Sequence, residues 1–176
     1  MIYLLDNNVL QYFFHARREL ALVEAAAVVP MVIAGEVFEE ACRGANGARA
    51  RKVLTGSAIG VRQIEVDSPV DATLEALQPL ASVHGDGERE SIAIAAHDPE
   101  LVFVANDRNA MWIALNELHL AGARMIGVPV LLRRLHEAGR LEPAAIDDVL
   151  RHWSGRRPTW WPTWRASVEP MDAIDR

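Results

Sequence analysis

A single cysteine, Cys42, stands in this chain of 176 residues. A lone thiol closes no intrachain disulfide and builds no thiolate metal cage. Lysine is nearly missing too: Lys52 is the only one, and the other basic side chains are arginines. Aromatic residues make up 6% of the chain, which leaves the core to Ala, Val, Leu and Ile. Positive charge is outweighed, with a formal net charge of −6. That balance argues against a general nucleic-acid coat protein. It does not exclude a nuclease, because clustered metal-binding carboxylates add negative charge that bound cations offset. Long apolar runs are absent, since Glu24, Pro30 and Glu36 interrupt the most hydrophobic stretch, so no membrane span is expected. The opening Met-Ile-Tyr-Leu-Leu-Asp has neither the basic segment nor the small-residue cleavage site of a signal peptide. A soluble, cytoplasmic protein is expected.

What is present is ordinary globular material, 51% hydrophobic and 24% charged, in a length that suits one domain. Ile2–Leu5 is a short apolar run ending in Asp6, read as a buried strand with a carboxylate at its carboxyl end. Asn7 and Asn8 suit a turn or cap. Helical spacing follows through Val9, Tyr12, Phe13, Leu20, Val23 and Ala27, with a break near His15. Val28-Val29-Pro30 reads as a brief extended segment. Pro30 then opens a helix carrying Ile33, Glu36, Val37 and Glu40, which stops near Gly44. Residues 48–58 read as helix, 61–66 as strand and 70–80 as helix, and Gly85-Asp86-Gly87 as a turn before a helix over 88–97. Leu101–Ala105 is a continuous apolar run of the kind found in central parallel strands. Helix is expected at 109–120, a short strand at 124–126, and two closing helices at 130–138 and 143–153.

Strands alternating with helices predict an α/β domain whose central, mainly parallel β-sheet is flanked by α-helices. The domain spans residues 1–153, and a Pro/Trp/Arg-rich tail spans 154–176. Trp153 at its border and Trp160, Trp161 and Trp164 within it stand among arginines and prolines. Stacking on RNA bases, strapping a partner protein and folding back onto the domain are the three readings of that tail. The basic residues fall in local groups: Arg17 and Arg18; Arg43, Arg49, Arg51 and Lys52; Arg133 and Arg134; Arg156 and Arg157. Each is either a solvated face or a phosphate-following surface.

In open parallel sheets, ligands collect at the carboxyl ends of strands. Asp6 and Asp107 each fall at such an end, and adjacent strands would bring them together. Glu36 and Glu88 lie on helices, Glu36 in the second turn after Pro30 and Glu88 in the first turn after Gly87. Four carboxylates in one cleft repel one another unless cations neutralise them or one is protonated. Oxygen ligands without convergent His or Cys suit Mg²⁺ or Mn²⁺. Each acid also has a plain explanation: Glu88 for the helix dipole, Glu36 as a surface residue beside Glu39 and Glu40, Asp107 as a helix cap.

Ordered segments along residues 2–150 resemble those of PIN domains. Tyr3-Leu4-Leu5-Asp6-Asn7-Asn8-Val9-Leu10 is similar to the family's opening strand and turn. Pro30-Met31-Val32-Ile33-Ala34-Gly35-Glu36 resembles its Pro-x-x-aliphatic-x-x-Glu helix start. Gly87-Glu88-Arg89-Glu90-Ser91-Ile92-Ala93-Ile94-Ala95 resembles the Gly-Glu-x-Glu-Ala-Ile-x-Leu-Ala form of one subgroup. Phe103-Val104-Ala105-Asn106-Asp107-Arg108 resembles the strand that ends in the last acid. Ile126-Gly127-Val128-Pro129-Val130-Leu131 and Glu137-Ala138-Gly139 are similar to the closing strand and helix. Two positions depart from the pattern: Asn7 stands where Thr or Ser is usual, and Ala105 where a hydroxyl commonly precedes the last acid by two.

The resemblance implies a PIN-like fold and a metal-dependent ribonuclease, the toxin of a toxin–antitoxin pair. RNA would be the substrate, a homodimer the usual state and an antitoxin the partner. It also implies that Asp6, Glu36, Glu88 and Asp107 hold one or two Mg²⁺ or Mn²⁺ ions, with Asn8 orienting Asp6 and Arg108 beside a phosphate. Glu90 and Asp86 are the alternates to Glu88. A PIN fold that binds RNA or protein without cutting is the first rival, favoured by the two departures. A haloacid-dehalogenase-type phosphatase also begins with a strand ending in Asp. It needs a second Asp two residues later, where this chain has Asn8.

Overall fold

The computed structural model describes residues 1–43, 45–80, 85–106, 108–116, 118–120 and 122–152. The tail, Trp153, Asp107 and the side chain of Arg108 lie outside the described residues. Ile2–Leu5 forms β1, and its continuous apolar sequence is matched by burial on both faces, with Leu4 and Leu5 fully enclosed. Helices α1 (Asn7–His15) and α2 (Glu19–Ala26) follow, divided at Arg17, whose positive φ of 55° turns the chain. β2 is Met31–Ala34 and leads directly into α3 (Gly35–Arg43).

This order corrects the expected one, in which an extended Val28–Pro30 preceded a helix beginning at Pro30. The β-branched pair Val32-Ile33 pairs with its neighbours in the sheet instead. Pro30 sits just before the strand, where it removes no ladder donor. Glu36 therefore falls in the first turn of its helix, not the second.

The chain continues through α4 (Gly47–Thr55), β3 (Gly60–Arg62) and α5 (Pro69–Ala76), which Ser68 caps by accepting the Asp71 N–H. A 3₁₀ turn at Gln78–Leu80 closes that segment. α6 (Asp86–His97) starts two residues earlier than expected, with Gly85 as its cap, so Asp86 and Gly87 belong to the helix and not to a turn. β4 (Leu101–Val104), α7 (Arg108–Asn116), β5 (Met125–Ile126), α8 (Val128–Glu137) and α9 (Pro143–His152) complete the domain.

The five strands form one parallel sheet in the order β3-β2-β1-β4-β5. An α/β fold with helices flanking a parallel sheet is thus what the alternating pattern encoded. β1 and β4 occupy the centre, paired from Ile2 against Leu101 to Leu5 against Val104. Phe13, Phe14, Phe103, Leu101 and Ile92 are among the largest enclosed side chains around them, each worth about 1.5–3 kcal/mol of burial. From β1 the chain first winds outward to β2 and β3, then returns to the other side as β4 and β5. The winding reverses between β1 and β4, and a crevice opens at the carboxyl ends of the strands at such a switch point. Among the described residues no helix is long and apolar enough to cross a membrane.

Candidate active site

Asp6 terminates β1 at this switch point. Its N–H donates to the Val104 carbonyl at 3.0 Å, locking it to the end of β4. The residue is extended and forms the N-cap of α1, yet it is only 1% exposed. Oδ2 accepts from the Asn8 side-chain amide at 3.2 Å. Oδ1 is buried and has no hydrogen-bond partner among the described residues. Burial pushes the Asp6 carboxyl up from the usual 3.8 to about 7, helped by the negative charges of Glu88 and, more weakly, Glu40. The N–H groups of Asn7 and Asn8 oppose the shift. Glu19 also keeps an idle oxygen, but Arg49 neutralises it, whereas the side-chain charges acting on Asp6 are acids, which makes Asp6 the candidate for a ligand.

Glu40 is the residue the sequence reading missed. It sits on α3 and joins three elements: Oε2 accepts from the Asn7 amide at 3.1 Å, and Oε1 from the Gly87 N–H at 3.0 Å. α6 approaches α3 closely enough for this only because residue 87 is glycine. A Cβ there would lie 2.9 Å from Val37 Cγ2 and 3.0 Å from Glu40 Oε2. Asn7 thus orients one of the acids through its side-chain amide. Ala105 is fully buried and offers nothing polar.

Glu36 and Glu90 meet each other on the neighbouring side. Glu90, 5% exposed, accepts the Glu36 N–H at 2.6 Å and so caps the start of α3. Its carboxyl is raised, first by burial and then by Glu36 and Glu40. The Glu36 side chain points outward to Arg43, 3.1 Å away. Glu40 therefore adjoins both groups, acting on Asp6 and on Glu90 alike, whereas Glu36 does not figure among the charges that act on Asp6. Asp86 pairs with the buried Arg89. Of the four expected acids, Asp6 and Glu88 adjoin, Glu36 stands at the margin, and Asp107 follows Asn106 just beyond the described end of β4.

Glu40 was legible in principle. It lies four residues after Glu36, on the same helix face whichever residue starts the helix. Among the described residues no three of His, Cys, Asp and Glu gather tightly enough to hold a metal ion unaided. No protein-family model, curated protein or solved structure matches the chain.

Proposed function

We propose that the chain is a divalent-metal-dependent ribonuclease with a PIN-like fold. One observation carries this reading: Asp6 ends the central strand at the switch point, buried, with an unpartnered oxygen and two further acids acting on it. Its donor set fits a hard cation, since oxygen ligands without His or Cys suit Mg²⁺ or Mn²⁺. Asp6 and Glu88 would hold the ion together with Asp107, which lies outside the described residues, with Glu40 beside them, Glu36 at the rim and Glu90 behind α3. When bound, the ion supplies a Lewis acid for a phosphoryl oxygen and lowers the pKa of a water for in-line attack.

The protein's own contribution is positioning. Asn8 fixes the orientation of the Asp6 carboxyl, and Asn7 and the Gly87 N–H fix that of Glu40. The enclosed setting of Asp6 strengthens every charge interaction made there. Arg108, which opens α7, would contact a phosphate.

The toxin role, the cytoplasmic setting, the homodimer and the antitoxin partner rest on the resemblance to PIN domains. They predict that the neighbouring reading frame encodes a small DNA-binding protein. A module that binds RNA or protein without cutting is the second reading, favoured by the apolar Ala105. One experiment separates the two: cleavage of single-stranded RNA by purified protein with Mn²⁺, alongside Asp6→Asn and an EDTA control. A nuclease cleaves, stops with EDTA, and loses at least about a thousandfold in Asp6→Asn. Equal cleavage by the variant would overturn the site. A folded wild type that neither cleaves RNA nor binds Mn²⁺ would leave the binding-module reading standing.

A further inference from the structure

The arginines that composition grouped together separate by what they touch. Arg49 is tied to the buried Glu19 on α2. Arg51 lies over the Phe38 ring, 5.3 Å from its centroid, and meets Glu39. Arg43 is different, because its ion-pair partner is Glu36, whose own N–H is held by Glu90 in the acidic group. Seven residues along α3 place Arg43 within about 20° of Glu36 around the helix axis and about 60° from Glu40. Helical side chains lean toward the N-terminus, so Arg43 reaches back along that face toward the acids.

The pair is open to water, with the Arg43 side chain 66% and the Glu36 side chain 45% exposed. Exposed pairs of this kind are weak and exchange readily. A guanidinium matches a phosphate bidentately, as it matches a carboxylate. We infer that Arg43 is a phosphate-positioning residue of this site, exchanging Glu36 for a backbone phosphate of the bound RNA strand. The inference rests on the acidic site being one that takes a phosphodiester. It also explains how a chain of net charge −6 would hold a polyanion at a cluster of acids: a cation waits at the rim, parked on a carboxylate.

The test is binding of a labelled single-stranded oligoribonucleotide to the full-length protein in EDTA, followed by fluorescence anisotropy across a salt series. Arg43→Gln should weaken binding about fivefold to tenfold and flatten the salt dependence by about 0.7 in log–log slope, the share of one phosphate contact on a single strand. Arg43→Lys should keep most of that slope. Glu36→Gln should tighten binding, because it releases the guanidinium. If Arg43 merely stabilised α3 through Glu36, the two glutamine variants would act alike, and that outcome overturns the inference. So does an unchanged slope in Arg43→Gln, or a wild type that binds no RNA. A wild type that binds with the expected slope change but cleaves nothing in Mn²⁺ removes the nuclease reading and leaves the phosphate contact in place.

Discussion

At the amino end of β4, Arg124 turns its guanidinium to the backbone. Its Nε donates to the Leu101 carbonyl at 3.2 Å, and its Nη2 to the carbonyls of Ala95 and Asp98, tying the end of α6 to the start of the strand. Arg62 meets Asp98 at the same corner. At the carboxyl end of β1, a few residues along the same sheet, Asp6 keeps an oxygen idle, and Glu88 and Glu40 raise the cost of its charge. One end closes its polar groups on the protein itself. The other leaves one buried carboxylate oxygen without a partner among acids, and that contrast sets a corner closed on itself against one that would take a ligand.

The sharpest way to break the contrast is to titrate the two ends without metal. A carboxyl whose folded pKa is raised stays protonated in the fold while the unfolded chain has already ionised. Folding is therefore fully favoured below the usual 3.8, and the advantage is lost as pH rises to about 7. The size is roughly 4 kcal/mol, from about 1.4 kcal/mol per pKa unit. Urea unfolding in EDTA should show the wild type losing that much more stability than Asp6→Asn between pH 4 and pH 8. Saturating Mn²⁺ at pH 8 should restore it, because the bound cation stabilises the ionised carboxyl. Parallel pH curves for the two proteins would show that Asp6 is not strained, and the contrast between the ends would dissolve.

The complementary change is Arg124→Leu. It removes a charged donor from three backbone carbonyls, and each hydrogen bond to a charged group is worth about 1.5–3 kcal/mol when lost singly. The three share one guanidinium, so their losses do not add, and a drop of about 3 kcal/mol is expected. It should appear as a lower urea midpoint with an unchanged slope. Mn²⁺ affinity should not move. A variant that lost Mn²⁺ binding while keeping its stability would reverse the assignment of the two ends.

How much of this the sequence disclosed follows from which forces act locally. β1 and β4 were legible because strands buried on both faces are written as unbroken apolar runs. Their carboxyl-terminal acids drew attention because strand ends in a parallel sheet are where ligands collect. β2 was misread. Val28 to Ala34 is apolar throughout and gives no period, so the residues that pair with β1 could not be told from those that precede them. That slip carried forward to the helix after it, putting Glu36 in a second turn when it lies in the first. The roles of Glu40 and Glu90 depend on contacts across 47 and 54 residues of chain, which no local pattern records. Asp86 was read as part of a turn for a similar reason, since Gly on both sides looks like a break while Gly87 serves the approach of α6 to α3.

The smallest expected effect ranks the acids within the carboxyl end itself. Glu88 raises the Asp6 carboxyl more than Glu40 does, and Glu36 is not among the causes. Replacing each in turn by Gln in metal-free protein should lower the Asp6 pKa most for Glu88→Gln, less for Glu40→Gln, and not at all for Glu36→Gln. Carboxyl-carbon NMR titration of Asp6 reads this directly. Gln at position 40 keeps an oxygen to accept the Gly87 N–H, so α6 should stay seated on α3 and the shift should report charge alone. The ranking has a chemical consequence, because the acids that load charge onto Asp6 also add to the negative field a cation would meet there. Mn²⁺ affinity should therefore fall in the same order. A protein in which Glu36→Gln lowered both quantities more than Glu40→Gln would return Glu36 from the rim to the centre of the site, as the sequence alone had it.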